Sequence, residues 1–134
     1  ASHVPEATGV KERNSPLRLA LWLLPSFFLM TRRLRELRRG GAAICLVHGD
    51  TLSTLLGAVA AKIAGMTVAH VESGLTSGRL FAPFPEELTR RLVFRLADWA
   101  FCPGEEPARR MSRYPGVRVV DTRGNTIEDA LRCV

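Results

Sequence analysis

Two apolar runs in this sequence end in residues that can move a proton. Ala43–Val47 leads into His48, Gly49 and Asp50, and residues 67–71, TVAHV, carry His70 and lead into Glu72. Further on, Glu86 and Glu87 follow Pro85. A carboxylate at a half-buried strand end must find a partner or have its pKa raised. A raised carboxylate pKa is what general acid or base catalysis near neutral pH requires. Glu72 fits this best, because a glycine-bearing loop rather than a helix follows it. Asp50 has a simpler alternative as the N-cap of the next helix, and Glu86 as a complement to a helix N-terminus. His48 with Asp50 and His70 with Glu72 have the spacing of metal ligands if both strands stay extended. Gly49 is expected to break that extension, so no bound metal is expected. The two histidines are expected to hydrogen-bond backbone or substrate phosphate.

The elements that must position these groups follow from periodicity and punctuation. Residues 1–14 read as a loop lead. Ser15 and Pro16 open a helix that runs to about Arg39, bent near Pro25, and stops at Gly40-Gly41. Strands are expected over 43–48, 67–71, 99–102 and 117–121. Helices are expected over 52–64, from Pro85 to about Ala97, over 105–113, and from about Thr126. Strand and helix alternate, and the strands are unbroken apolar runs. This is the pattern of an α/β fold with a parallel sheet covered on both faces. Ligands of such sheets bind at the carboxyl ends of the strands, where His48, Asp50, His70 and Glu72 fall.

Composition narrows the function. The 134 residues are enough for one domain with a core, and the net charge is +6. Arg32, Arg33, Arg35, Arg38 and Arg39 crowd one segment, but no aromatic side chain interleaves with them. They read as a solvated helix end rather than a nucleic-acid surface. Residues 17–30 are strongly apolar, yet too short to span a bilayer and interrupted by Arg18 and Pro25. A core helix is the first reading, with membrane or partner docking second. Cys45, Cys102 and Cys133 form no C-x-x-C pair, which suits a reducing cytoplasm.

Four motifs then appear in order: VHGDT at 47–51, HVESGL at 70–75, PFPEELTRRL at 83–92 and GNTIEDAL at 124–131. From about Ala42 onward the chain resembles the non-hydrolysing UDP-N-acetylglucosamine 2-epimerases. The resemblance implies a Rossmann-like three-layer sheet, one half of a two-domain architecture like that of the two-domain nucleotide-sugar glycosyltransferases. It implies interconversion of UDP-N-acetylglucosamine and UDP-N-acetylmannosamine through elimination and readdition of UDP, with a 2-acetamidoglucal between. Asp50, Glu72 and Glu86 would be the acid/base carboxylates. His48, Gly49, His70, Ser73, Gly74, Arg79 and Asn125 would contact substrate. No metal and no other cofactor is implied. Three positions depart from the family pattern: Thr76 stands where an arginine is common, Ser73 where alanine is common, and Arg123 precedes Gly124.

The same resemblance makes residues 1–134 the latter part of a first domain, with 124–134 beginning the crossover to a second. The chain alone is therefore expected to be inactive. A UDP-sugar is the expected partner, in the cytoplasm, in cell-envelope polysaccharide synthesis, with a homodimer possible for a longer protein. Neither nucleic acid nor an integral membrane segment is expected. The alternatives are a hydrolysing epimerase that releases N-acetylmannosamine and UDP, a non-catalytic nucleotide-sugar-binding or interaction domain, and a metal-dependent hydrolase using His48, Asp50, His70 and Glu72.

Overall fold

The computed structural model describes residues 16–79 and 84–124. Helix α1 (Pro16–Arg39) precedes β1 (Ile44–His48), α2 (Leu52–Ile63) and β2 (Thr67–Val71). Then come α3 (Glu86–Leu96), β3 (Trp99–Cys102), α4 (Glu105–Met111) and β4 (Arg118–Asp121). The expected elements fall within two residues of these bounds. The expected loop lead, Ser15, Asn125, Cys133 and the helix from Thr126 lie outside the described residues.

The four strands pair in parallel in the order β1-β2-β3-β4. This is the α/β parallel sheet that the alternating pattern predicts. Its register carries Val47 to His70, His70 to Ala100 and Ala100 to Val119, so these four side chains share a face. That face is the packed one. Val47 and Val68 meet Ala58 and Ala61 of α2 and Val93 of α3. Ala100 and Cys102 meet Phe94 of α3 and Met111 of α4. Ala58, Ala61, Val68, Val93 and Ala100 are wholly buried. Each large buried side chain contributes about 1.5–3 kcal/mol.

Among the described residues the two apolar clusters that seat α2, α3 and α4 lie on this face. Strands laid down in chain order by crossovers of one hand send the intervening helices to the same side. On the other face of the edge strand β1, Ile44 and Leu46 remain 59% and 66% exposed.

Helix α1 departs from expectation. It packs on the core through Leu34 and donates from Arg38 Nε to the Gly65 carbonyl at 3.1 Å. Leu24, Phe28 and Leu29 are nonetheless exposed, so a core helix over 17–30 is not what the described side chains form. Arg32 and Arg33 bind Glu36 on the solvent side, as a solvated helix face does. No described helix is long and apolar enough to cross a membrane.

Candidate active site

Because His48 and Val71 are register partners, β1 and β2 release the chain at the same edge of the sheet. Gly49 turns away from β1 with φ 79°, a left-handed conformation that glycine adopts without strain. A Cβ there would meet nothing within 4 Å, so the demand is conformational rather than steric. Thr51, not Asp50, caps α2: its hydroxyl oxygen accepts the Thr54 N–H at 3.3 Å. Asp50 is thus left for another partner, and its carboxylate receives the Arg90 guanidinium from α3.

Glu72 leaves β2 with φ 58°, left-handed in a non-glycine residue. Such a backbone costs about 1–2 kcal/mol. The bend takes the carboxylate to 3.3 Å from His48 Nε2 on the neighbouring strand. His48, Gly49, Asp50, Thr51, Glu72, Leu75 and Arg90 line a cleft of about 280 Å³.

The two histidines do different work. His48 is on the open face of the sheet, whereas His70, in register with Val47, is on the packed face and 1% exposed. His70 Nε2 is 2.9 Å from the Gly49 carbonyl, which can only accept, so this nitrogen carries the proton. Burial lowers the His70 pKa, favouring the neutral ring. Nδ1 then accepts from the Ser73 hydroxyl at 3.0 Å. His70 and Ser73 therefore stand behind the cleft and tie the Gly49 turn to the Glu72 turn. The four-ligand metal arrangement fails here, because its histidines face opposite sides. Among the described residues no group of three histidine, cysteine or acidic side chains converges to hold an ion.

The neighbouring glutamates of α3 also diverge. Glu87 is fully buried. Its Oε1 accepts from the Thr76 hydroxyl, and from Arg91 Nε at 3.0 Å. Its Oε2 accepts from Ser77 N at 3.1 Å and Arg90 Nη1 at 3.0 Å. Burial opposes its ionisation, but the donors from Thr76, Ser77 and Arg91 and the charge of Arg90 outweigh it and hold the carboxyl at about 2. Glu86 lies one turn before Arg90 on the same face of α3. Its Oε2 is enclosed and has no hydrogen-bond partner among the described residues.

Of the expected site residues, the structure gathers His48, Gly49, Asp50 and Glu72. Glu86 does not line the cleft itself. Gly74 is buried beneath it, where a Cβ would lie 2.5 Å from the Pro107 carbonyl oxygen, and its own carbonyl accepts from Arg110. Arg79 is exposed on the loop away from the cleft, and Asn125 lies outside the described residues. Arg90 was not singled out from the sequence, and Glu87 was named there beside Glu86 without a role of its own. Their signal is helical spacing: Glu86 to Arg90 and Glu87 to Arg91 are both four residues apart.

A parallel sheet with acid-bearing turns at its carboxyl edge defines the class: an α/β domain of the kind whose ligands bind at the strand ends. The family model described as UDP-N-acetylglucosamine 2-epimerase matches residues 29–134. The chain is 41% identical over 88 residues to the UDP-N-acetylglucosamine 2-epimerase of Neisseria meningitidis serogroup A, covering 64% of this chain and 23% of that protein. It is 40% identical over 89 residues to the enzyme of that name from Bacillus subtilis, covering 66% and 23%. The crystal structure of UDP-GlcNAc 2-epimerase from N. meningitidis bound to UDP-GlcNAc superposes with TM-score 0.69 at 34% identity, over 82% of this chain and 30% of that one. The Methanocaldococcus jannaschii enzyme in complex with UDP-GlcNAc and UDP gives 0.65 at 29% identity, over 80% and 30%. This chain belongs to the UDP-N-acetylglucosamine 2-epimerase family. It spans about a quarter of the length of the curated relatives it matches.

Proposed function

We propose that this chain supplies the acid/base wall of a UDP-N-acetylglucosamine 2-epimerase site. Glu72, Asp50 and Glu86 would divide the proton transfers at C2 of the sugar. One carboxylate takes the C2 proton, and UDP leaves C1 with the bonding electron pair, giving 2-acetamidoglucal. Addition of UDP back to C1, with protonation at C2 from the opposite face, yields UDP-N-acetylmannosamine. The C2 proton has no adjacent carbonyl to acidify it, so its removal needs a positioned, water-poor base.

The observation that carries this reading is the placement of Glu72. Its strained left-handed backbone turns a largely buried carboxylate into the cleft that holds Asp50. The enclosed oxygen of Glu86, which has no hydrogen-bond partner among the described residues, adds a third carboxylate. His48 and Gly49 would contact substrate directly. His70, Ser73 and Gly74 would act by holding the two turns.

A cleft of about 280 Å³ is smaller than the usual pocket for a compact ligand, and a nucleotide sugar is larger still. The other wall and the main diphosphate contacts would come from outside this chain, so the chain alone is expected not to turn over. With this reading go a cytoplasmic setting, cell-envelope polysaccharide synthesis and a possible homodimer of a longer protein.

The test grafts residues 42–134 into the N. meningitidis relative in place of the matching segment. UDP-N-acetylglucosamine is incubated in deuterated water, and mass spectrometry reads C2 deuterium and the products. The graft is expected to form UDP-N-acetylmannosamine; release of N-acetylmannosamine and UDP instead would mark a hydrolysing enzyme. Glu72→Gln should cut turnover at least about a hundredfold. Near-normal turnover in that variant would remove Glu72 from the mechanism. Deuterium incorporation by the isolated chain, lost in Asp50→Asn, would overturn the one-wall reading.

A further inference from the structure

A second hollow, of about 460 Å³, lies between α3 and α4, on the far side of Glu87 from the cleft. Arg91, Arg95, Arg110 and Arg113 all line it. Arg91 and Arg95 are four residues apart on α3, Arg110 is in the last turn of α4, and Arg113 follows its C-cap Ser112. Like charges four apart on a helix repel.

The carboxylates nearby do not balance them. Glu87 is shared between Arg90 and Arg91, and Glu106 pairs with Arg110 at the rim. Among the described residues the one side-chain hydrogen bond of Arg95 goes to the Arg91 carbonyl at 3.3 Å, which neutralises nothing. The Arg113 guanidinium has neither a hydrogen bond nor an ion pair among the described residues. Four arginines thus line one concavity with two carboxylates among them, both already engaged. Concave walls focus such a field, and the planar fork of arginine matches phosphate oxygens two at a time.

We propose that this hollow binds a small phosphate-bearing anion, diphosphate in size, at a site separate from the carboxylate cleft. The inference rests on the arginine arrangement and not on the reading of the cleft. It has a structural consequence. Thr76, whose hydroxyl donates to Glu87 and accepts from Gly78 N, lines the same hollow. An anion that recruits Arg91 therefore acts on the carboxylate that also holds Arg90 and, through it, Asp50.

The probe is inorganic pyrophosphate, titrated into the isotope-labelled chain and followed by amide NMR, with sodium chloride at matched ionic strength as reference. Saturable shifts are expected at Thr76, Gly78, Arg95 and Tyr114. Arg95→Gln and Arg113→Gln should each weaken binding about threefold, and the pair more than about tenfold. Both side chains are exposed, so amide positions elsewhere should stay put and report an intact fold. Shifts equalled by sodium chloride, or unchanged affinity in the folded double variant, would overturn the site. So would a response confined to phosphatidic acid vesicles with none to pyrophosphate.

Discussion

The two ends of the sheet treat their charges differently. At the amino end, Asp98 accepts from Lys62 Nζ at 2.6 and 2.7 Å and from Val68 N at 2.8 Å. Burial opposes ionisation of Asp98, but Lys62 and the Val68 amide lower its pKa. Every oxygen there is used, and the pair joins α2 to β2 and the start of β3. At the carboxyl end, Glu72 and Arg123 have left-handed backbones, one oxygen of Glu86 is enclosed with no hydrogen-bond partner among the described residues, and Arg90 is divided between Asp50 and Glu87. The amino end is closed and serves stability. The carboxyl end bears the proposed site, and one buried carboxylate, Glu87, ties α3 to the Thr76–Ser77 loop there.

If Glu87 is that hub, removing it should cost most. Glu87→Ala leaves Arg90 and Arg91 without their buried acceptor and releases Thr76 and Ser77. A loss of about 4 kcal/mol in unfolding free energy is expected, read by urea titration. A loss below about 1 kcal/mol would make Glu87 incidental.

Acid should attack the same point. Glu87 is held at about 2 against an ordinary value of 4.5, so the unfolded chain takes up its proton first. Its contribution is fully present above pH 4.5 and is lost as pH falls through about 2. The shift corresponds to roughly 3 kcal/mol. His70 acts in the same direction at higher pH, because burial depresses its pKa and protonation favours the unfolded chain below about 6.5. Urea midpoints measured from pH 7 to 2 should fall in wild type, with the lowest-pH part of the fall absent in Glu87→Gln. An identical profile in the variant would exclude this linkage.

Smaller and opposite in sign is Glu72→Gly. Glycine relieves the left-handed backbone and should raise stability by about 1 kcal/mol in the same titration, although the proposed base is gone. Destabilisation would show that the His48 contact outweighs the strain. Smallest is Asp98→Asn at the amino end. Lys62 and Asp98 are each more than a third exposed, and asparagine can still accept from Val68 N. The cost should stay below about 1 kcal/mol. A larger loss would remove the contrast between the two ends.

The elements were legible because their signals are local. Alternation of apolar runs with helical spacing, and stops at Gly40-Gly41, Gly65 and Pro103-Gly104, depend on a few neighbouring residues. The edge bearing His48, Asp50 and Glu72 follows from those elements, since parallel strands end on one side. The turn at Gly49 was equally readable, because only glycine adopts its backbone freely.

Other features depended on which strand lies beside which, and by what register. His48 and His70 look equivalent in sequence, each two residues before an acid, yet the register sends one to the open face and the other into the core. Glu86 and Glu87 are adjacent, yet a helix turns successive side chains about 100° apart, so only Glu87 meets the Thr76–Ser77 loop. The apolar length of α1 says that it must pack, but not against what. Residue order along the chain determined the elements and the edge that carries the acids. Tertiary structure decided which acid is consumed as a strut and which is left available, because that depends on groups 10 to 40 residues away that only the folded sheet brings within hydrogen-bond distance.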